Sequence, residues 1–110
     1  MNIATNKPVD EREITRRILR VIQPRKIILF GSRARGQAHP KSDWDILVVA
    51  NSRRPRYQRS PPLYGAMSGL RQPIDILVYT PKEIEEWRNV ESAFITTAVR
   101  EGKVLYESKD

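Results

Sequence analysis

The sequence predicts a small α/β (α+β) domain: a mixed β-sheet of three or four strands flanked by helices. Three observations carry this expectation. Two stretches repeat nearly the same apolar phrase, Asp45-Ile46-Leu47-Val48-Val49 and Asp75-Ile76-Leu77-Val78-Tyr79, and β-branched runs of that length read as strands. The connection between them, about residues 51–72, is long enough for a helical crossover, which favours parallel pairing. The segment ahead of the first phrase is shorter and rich in turn residues, which favours an antiparallel partner there.

The elements follow in order. Asp10 with Glu13 three residues on has the form of a capped helix start. Ile14, Ile18, Val21 and Ile22 then recur at helical spacing, so the first helix is expected over about 10–22, ended by Gln23-Pro24. Lys26–Phe30 (KIILF) reads as a central strand. Gly31-Ser32 breaks it, and Arg33 to Gly36 leaves room for one helical turn. In the second strand, Trp44–Ala50, Trp44, Ile46 and Val48 face one way and Asp45, Leu47 and Val49 the other. Pro61-Pro62 opens a helix through Leu63, Met67 and Leu70, and Pro73–Tyr79 is the third strand. Thr80-Pro81-Lys82-Glu83 is a capping box with proline at the first helical position, which turns Ile84 and Trp87 inward. A last helix runs through Phe94, Ile95, Ala98 and Val99, Gly102 suits its C-terminal cap, and Lys103–Glu107 closes the chain as an extended piece.

A chain of 110 residues fits one domain, 1–110, with 39% apolar residues for one modest core. It contains no cysteine, which excludes disulfides and a thiolate zinc site. The N-terminus has no apolar signal region, and no apolar run approaches the ~20 residues that span a bilayer. No membrane association and a cytoplasmic location are expected. The net charge of +7 comes mostly from 14 arginines against 6 lysines, and guanidinium forks suit phosphates and carboxylates.

The chemistry concentrates in FGSRARGQAHPKSDWDILVV, residues 30–49. Asp43 and Asp45 sit one residue apart at the mouth of a strand, so both carboxylates point the same way. Like charges held that close repel, and burial makes ionisation costlier. If the second and third strands pair in parallel and in register, Asp75 joins them at the same sheet end, and Gly31-Ser32 at the end of the first strand arrives there too. Three carboxylates make a hard-oxygen site suited to Mg²⁺ or Mn²⁺. Two such ions about 4 Å apart would neutralise the repulsion and clamp the oxygens of an in-line displacement at phosphorus. Gly31 lets a backbone N–H approach a phosphate, Ser32 adds a hydroxyl, and Arg33 and Arg35 supply charge for a polyphosphate.

Gly31-Ser32, ten intervening residues and Asp43-x-Asp45 resemble the signature of the DNA polymerase beta-like nucleotidyltransferase superfamily. More narrowly, GSRARG, SDWDILVV, Asp75 and the terminal REGKVLYE resemble the minimal nucleotidyltransferases of bacteria and archaea. The resemblance covers nearly the whole chain. It implies the polymerase beta-like fold, Mg²⁺, and ATP as substrate. It implies that Asp43 and Asp45 hold the metals, and that Asp75 completes the site and helps deprotonate the acceptor hydroxyl. Gly31 and Ser32 would hold the outer phosphates as pyrophosphate leaves. Many members pair with a HEPN-domain toxin, for which they are the antitoxin, in several cases by transferring AMP to a toxin tyrosine. A HEPN toxin is therefore the expected partner, in a hetero-oligomer.

Two other functions stay open at this point: transfer to RNA, such as a tRNA end, and a non-catalytic antitoxin acting by occlusion. The stretch Arg53-Arg54-Pro55-Arg56-Tyr57-Gln58-Arg59 matches no motif and reads as a solvated loop or as a contact for RNA or an acidic partner. His39 reads as an exposed turn residue beside Pro40, and Trp44 and Trp87 as core. Tyr57, Tyr64 and Tyr79 are each chemically able to accept a nucleotide, with nothing in the sequence to choose among them.

Overall fold

The computed structural model describes residues 9–88, 90 and 94–109. The elements run α1 (Glu11–Leu19), β1 (Lys26–Phe30), β2 (Trp44–Val49), a 3₁₀ turn (Arg56–Gln58), α2 (Pro61–Ala66), β3 (Ile74–Tyr79), α3 (Pro81–Trp87), α4 (Phe94–Glu101) and β4 (Lys103–Glu107). The four strands form one sheet in the order β3-β2-β1-β4. β1 is antiparallel to both β2 and β4, and β2 and β3 are parallel, with Asp45 opposite Asp75 and Leu47 opposite Leu77. The closing segment is thus a fourth strand at the sheet edge.

Alternation along the strands gives the sheet two apolar faces. Ile27, Leu29, Trp44, Ile46, Val48, Ile76 and Val78 pack with Ile14 and Ile18 of α1 and Leu63 and Met67 around α2. Ile28, Leu47, Val49 and Tyr79 pack with Ile95 and Ala98 of α4, and Ile84 of α3 joins them. Each fully buried aliphatic side chain contributes roughly 1.5–3 kcal/mol, so the sheet's central strands dominate the stability.

The caps behave as the sequence suggests. The Asp10 carboxylate accepts the Glu13 N–H at 2.8 Å. Thr80 and Glu83 bond each other's backbone reciprocally on either side of Pro81. Three expectations need correction. Helix α1 stops at Leu19, short of residue 22, because the N–H of Val21 bonds the carbonyl of Ile18 and tightens the chain into a turn; Val21 is left exposed. Helix α2 stops at Ala66, where Arg17 takes the carbonyls of Ala66 and Ser68 at 3.1 and 2.7 Å, so Met67 reaches the core from beyond the helix. Trp87 is exposed, not core, and is the last residue of a seven-residue helix. The Phe94 side chain lies outside the described residues.

Gly102 matters through close approach. A Cβ there would collide with the Ala98 carbonyl oxygen and Ile28 Cγ2, and lie 2.9 Å from the Leu29 oxygen. The chain can leave α4 and enter β4 against β1 only because that atom is missing.

The arginine-rich stretch resolves into separate roles. Arg59, whose side chain is only 8% exposed, forks onto Glu83 at 2.6 and 3.2 Å and donates to the carbonyls of Arg54 and Val78. Arg56 donates to the Tyr79 hydroxyl at 2.7 Å and stacks over its ring. Both guanidiniums fasten the loop after β2 to the end of β3. Arg53 and Arg54 remain exposed. The whole stretch lies at the C-terminal ends of β2 and β3, opposite the end that carries the aspartates.

The Arg59 fork holds the Glu83 carboxyl below its ordinary value of 4.5. The resulting stabilisation is present above pH 4.5 and is lost as pH falls through the lowered folded value. Arg59→Ala is expected to lower stability by ~2–3 kcal/mol, since it strands a partly buried carboxylate and two carbonyls. Urea denaturation at pH 7 measures this; an unchanged midpoint would mean the tie contributes nothing.

Candidate active site

The site is built by register. Phe30 of β1 pairs with Asp45 of β2, which pairs with Asp75 of β3, so one row across the sheet carries two carboxylates on the α3/α4 face. Asp43 precedes β2 by one residue and lies two before Asp45, adding a third. Asp45 is partly buried, and Asp43 and Asp75 are exposed.

The electrostatics show that the three converge. Burial, then the Asp75 charge, then the Asp43 charge push the Asp45 carboxyl above its ordinary value of 3.8, with Arg35 pulling the other way. Among the described residues, however, no three acidic, histidine or cysteine side chains are drawn together as a ready metal cage. The donor set is right for a hard divalent cation. The carboxylates sense one another's charge.

Gly31 is part of the same arrangement. Its φ of +76° lies in the left-handed region, where a Cβ is disfavoured. A Cβ built there would collide with Asp45 Oδ2 and come within 3.2 Å of Cγ. The glycine therefore serves twice: it turns the chain out of β1 and leaves room for the carboxylate. Residues 31–36 form the single helical turn expected, through Ala34 and Arg35 N–H bonds to the Gly31 carbonyl at 3.1 and 3.2 Å. The Ser32 hydroxyl makes no hydrogen bond to a described residue. Beside this turn a cleft of about 370 Å³ opens between Gly31, Ala34 and Arg35 on one wall and Thr97, Glu101 and Gly102 on the other.

The two arginines of the turn part company. Arg35 is exposed, bonds Gln37 at 3.0 Å, and acts on Asp45 by charge. Arg33 lies over the Trp44 ring at 4.0 Å and donates to the Ser42 carbonyl at 3.1 and 2.8 Å, with longer contacts to the His39 and Pro40 carbonyls. Trp44 donates its indole N–H to Gln72 at 2.6 Å, and Gln72 donates to the Pro40 carbonyl. Arg33, Trp44 and Gln72 thus tether the loop that delivers Asp43. His39 is an exposed turn residue whose Nδ1 accepts the Lys41 N–H.

One contact has no signal in the sequence. The Tyr64 hydroxyl of α2 lies 3.5 Å from Asp75 Oδ1 and accepts the Ile76 N–H at 2.9 Å. No spacing rule relates residue 64 to residue 75; only the folded crossover brings them together.

This geometry can be tested through stability. In the metal-free protein, Asp45 binds its proton more tightly folded than unfolded. Its unfavourable contribution therefore sets in as pH rises above 3.8 and is complete above the raised folded value. Asp45→Asn is expected to raise the melting temperature at pH 7 by about a few degrees, with the difference shrinking on acidification. Thermal melts from pH 3 to 7 check this, and a destabilised variant at pH 7 would contradict it. Gly31→Ala is expected to cost ~1–2 kcal/mol from backbone strain plus the collision with Asp45. In an Asp45→Ala background the nearest remaining atom would be Cβ at 3.4 Å, so a double-mutant cycle should show the two changes to be strongly non-additive.

Comparison with known proteins agrees with this arrangement. Residues 13–110 match the family described as Polymerase beta, Nucleotidyltransferase. The chain is 31% identical over 99 residues to the protein adenylyltransferase MntA of Aphanizomenon flos-aquae, covering 87% of this chain and 66% of that protein, just under two-thirds of its length. Among solved structures, a toxin–antitoxin complex with AMP-PNP superposes with a TM-score of 0.64 at 25% identity, over 92% of this chain and 76% of the other. A candidate nucleotidyltransferase of Sulfolobus solfataricus shares the fold, with a TM-score of 0.60 at 19% identity over 91% and 78% of the two chains. With the carboxylate row, the Gly31 turn and a family match across nearly the whole chain, the protein belongs to the polymerase beta nucleotidyltransferase family.

Proposed function

We propose that this chain transfers AMP from ATP to a hydroxyl, in the first instance a tyrosine hydroxyl, of a partner toxin of the HEPN type, and thereby acts as its antitoxin. The observation that carries the reading is the coupled trio Asp43, Asp45 and Asp75 at one sheet end, with Gly31 packed on Asp45. The relatives support the direction: one is a protein adenylyltransferase and one is a toxin–antitoxin complex with an ATP analogue.

In this reading Asp43 and Asp45, with Asp75 completing the set, would hold Mg²⁺, or Mn²⁺ in its place. The bound metal supplies charge neutralisation at the phosphates. The chain's own residues do the rest. Gly31 keeps the turn close to the carboxylates, and Ser32 offers its hydroxyl to a phosphate oxygen. Arg35 brings an exposed positive charge to the polyphosphate. Arg33, whose donors are directed at the loop, acts by positioning Asp43. Asp75, exposed on the edge strand where an acceptor can approach, receives the acceptor proton. The cleft beside Gly31 gives the nucleotide a wall formed by α4.

The basic stretch 53–59 lies at the far end of the sheet and has two of its four arginines engaged with Tyr79 and Glu83. It therefore offers an RNA acceptor no continuous path to the carboxylates.

The test is label transfer from ATP carrying its label on the α-phosphate, with Mg²⁺ in host lysate. Label on a discrete protein is expected, reduced at least ~100-fold by Asp43→Asn or Asp45→Asn. Label on RNA instead would replace the acceptor. Neutralisation of the toxin that survives both substitutions undiminished would replace catalysis with occlusion.

A further inference from the structure

The Tyr64 phenol is held in place rather than left loose on the surface. Its neighbours Leu63 and Met67 are buried in the core, and Arg17 secures the end of its helix. Its oxygen accepts the Ile76 N–H at 2.9 Å while its O–H faces Asp75 Oδ1 at 3.5 Å. The residue nevertheless stays 42% exposed, so the hydroxyl stands at the open rim of the carboxylate row. The other tyrosines are elsewhere. Tyr57 is exposed at the far end, where it accepts from Gln58. Tyr79 is buried and bonded to Arg56. Tyr106 pairs with Ile27 on β4, at the start of β1 away from Gly31. Among the described residues, only Tyr64 places a phenol against an aspartate of the site.

We propose that Tyr64 is a self-modification site: without a partner, the chain transfers the nucleoside monophosphate of a bound ATP to its own Tyr64 hydroxyl. This rests on the nucleotidyltransferase reading above. Tyr64 stands to Asp75 as an external acceptor hydroxyl would. In the step, the phenolic oxygen forms a bond to the α-phosphorus, and the bond from that phosphorus to the bridging oxygen of the β-phosphate breaks. Pyrophosphate leaves with the bond's electron pair, and the phenolic proton passes to the Asp75 carboxylate. The Ile76 N–H is aimed at the atom on which negative charge develops as the proton leaves. The product carries no phenolic O–H to face Asp75, and its bulky nucleotide covers the rim where a partner's hydroxyl must enter. The modified chain is therefore closed to external acceptors.

The experiment incubates the purified full chain with ATP and Mg²⁺, follows intact mass, and maps the modified peptide. In parallel, host lysate with added chain and α-labelled ATP reports transfer to other proteins. The expected result is a gain of one AMP on the peptide containing Tyr64, at a first-order rate independent of protein concentration. Tyr64→Phe should lose it and still label the external acceptor. An unmodified Tyr64 while another protein is labelled overturns the inference and leaves the nucleotidyltransferase reading standing. A gain that maps elsewhere, or a rate proportional to chain concentration, also overturns it. No label on any protein overturns both. Because the mapping is made on the wild-type chain, its result stands even where Tyr64→Phe folds poorly.

Discussion

The parallel register of β2 and β3 is the constraint on which the rest depends. It sets Asp45 directly beside Asp75, two carboxylates on one face of one sheet, with Asp43 two residues upstream. Nothing in folding rewards that arrangement: it raises the energy of the ionised site and contributes no apolar burial. The unfavourable row is sustained by the apolar residues that follow it on both strands. Ile46, Leu47, Val48, Ile76 and Val78 are all nearly or fully buried, and slipping the register by one residue would turn each to the wrong face. The core thus holds the carboxylates where electrostatics alone would separate them.

Around that row, positioning falls to groups that never meet the site's ligand in the proposed reaction. Arg33 stacks on Trp44 and gathers three loop carbonyls, so the approach to Asp43 has a defined course. Trp44 itself is anchored on the opposite face of the sheet, among α1 and α2 residues. A side chain on the far face from the carboxylates therefore sets where one of them stands. At the other end of the sheet, Arg59 and Arg56 do comparable work for the crossover, closing the long loop after β2 onto β3.

How much of this could be read from the sequence follows from how local each cause is. The repeated strand phrase, the Thr80–Glu83 capping box and the Gly31-Ser32 break are all written within a few residues, and all appear in the structure where expected. Convergence of the three aspartates was also legible, because connection length constrains strand direction. What was illegible depends on tertiary partners. Whether an arginine meets loop carbonyls, as Arg33 does, or an exposed neighbouring side chain, as Arg35 does with Gln37, is invisible two residues apart in the same turn. The exposure of Trp87 depends on where a short helix ends relative to the sheet, which periodicity does not encode. Tyr64 and Asp75 meet only because the crossover folds back along β3.

The edges of the sheet differ in a way that bears on association between molecules. An edge strand presents unpaired N–H and C=O groups that can template a foreign strand. On β3 that invitation is blunted near the carboxylates: Pro73 at its start has no N–H to offer, and the Ile76 N–H is already taken by a phenol from the same chain. A second strand docking there would have to displace the phenol and pass its backbone beside the Asp75 carboxylate. The edge of β3 beside the carboxylates thereby offers a foreign strand fewer free backbone donors than a bare edge would.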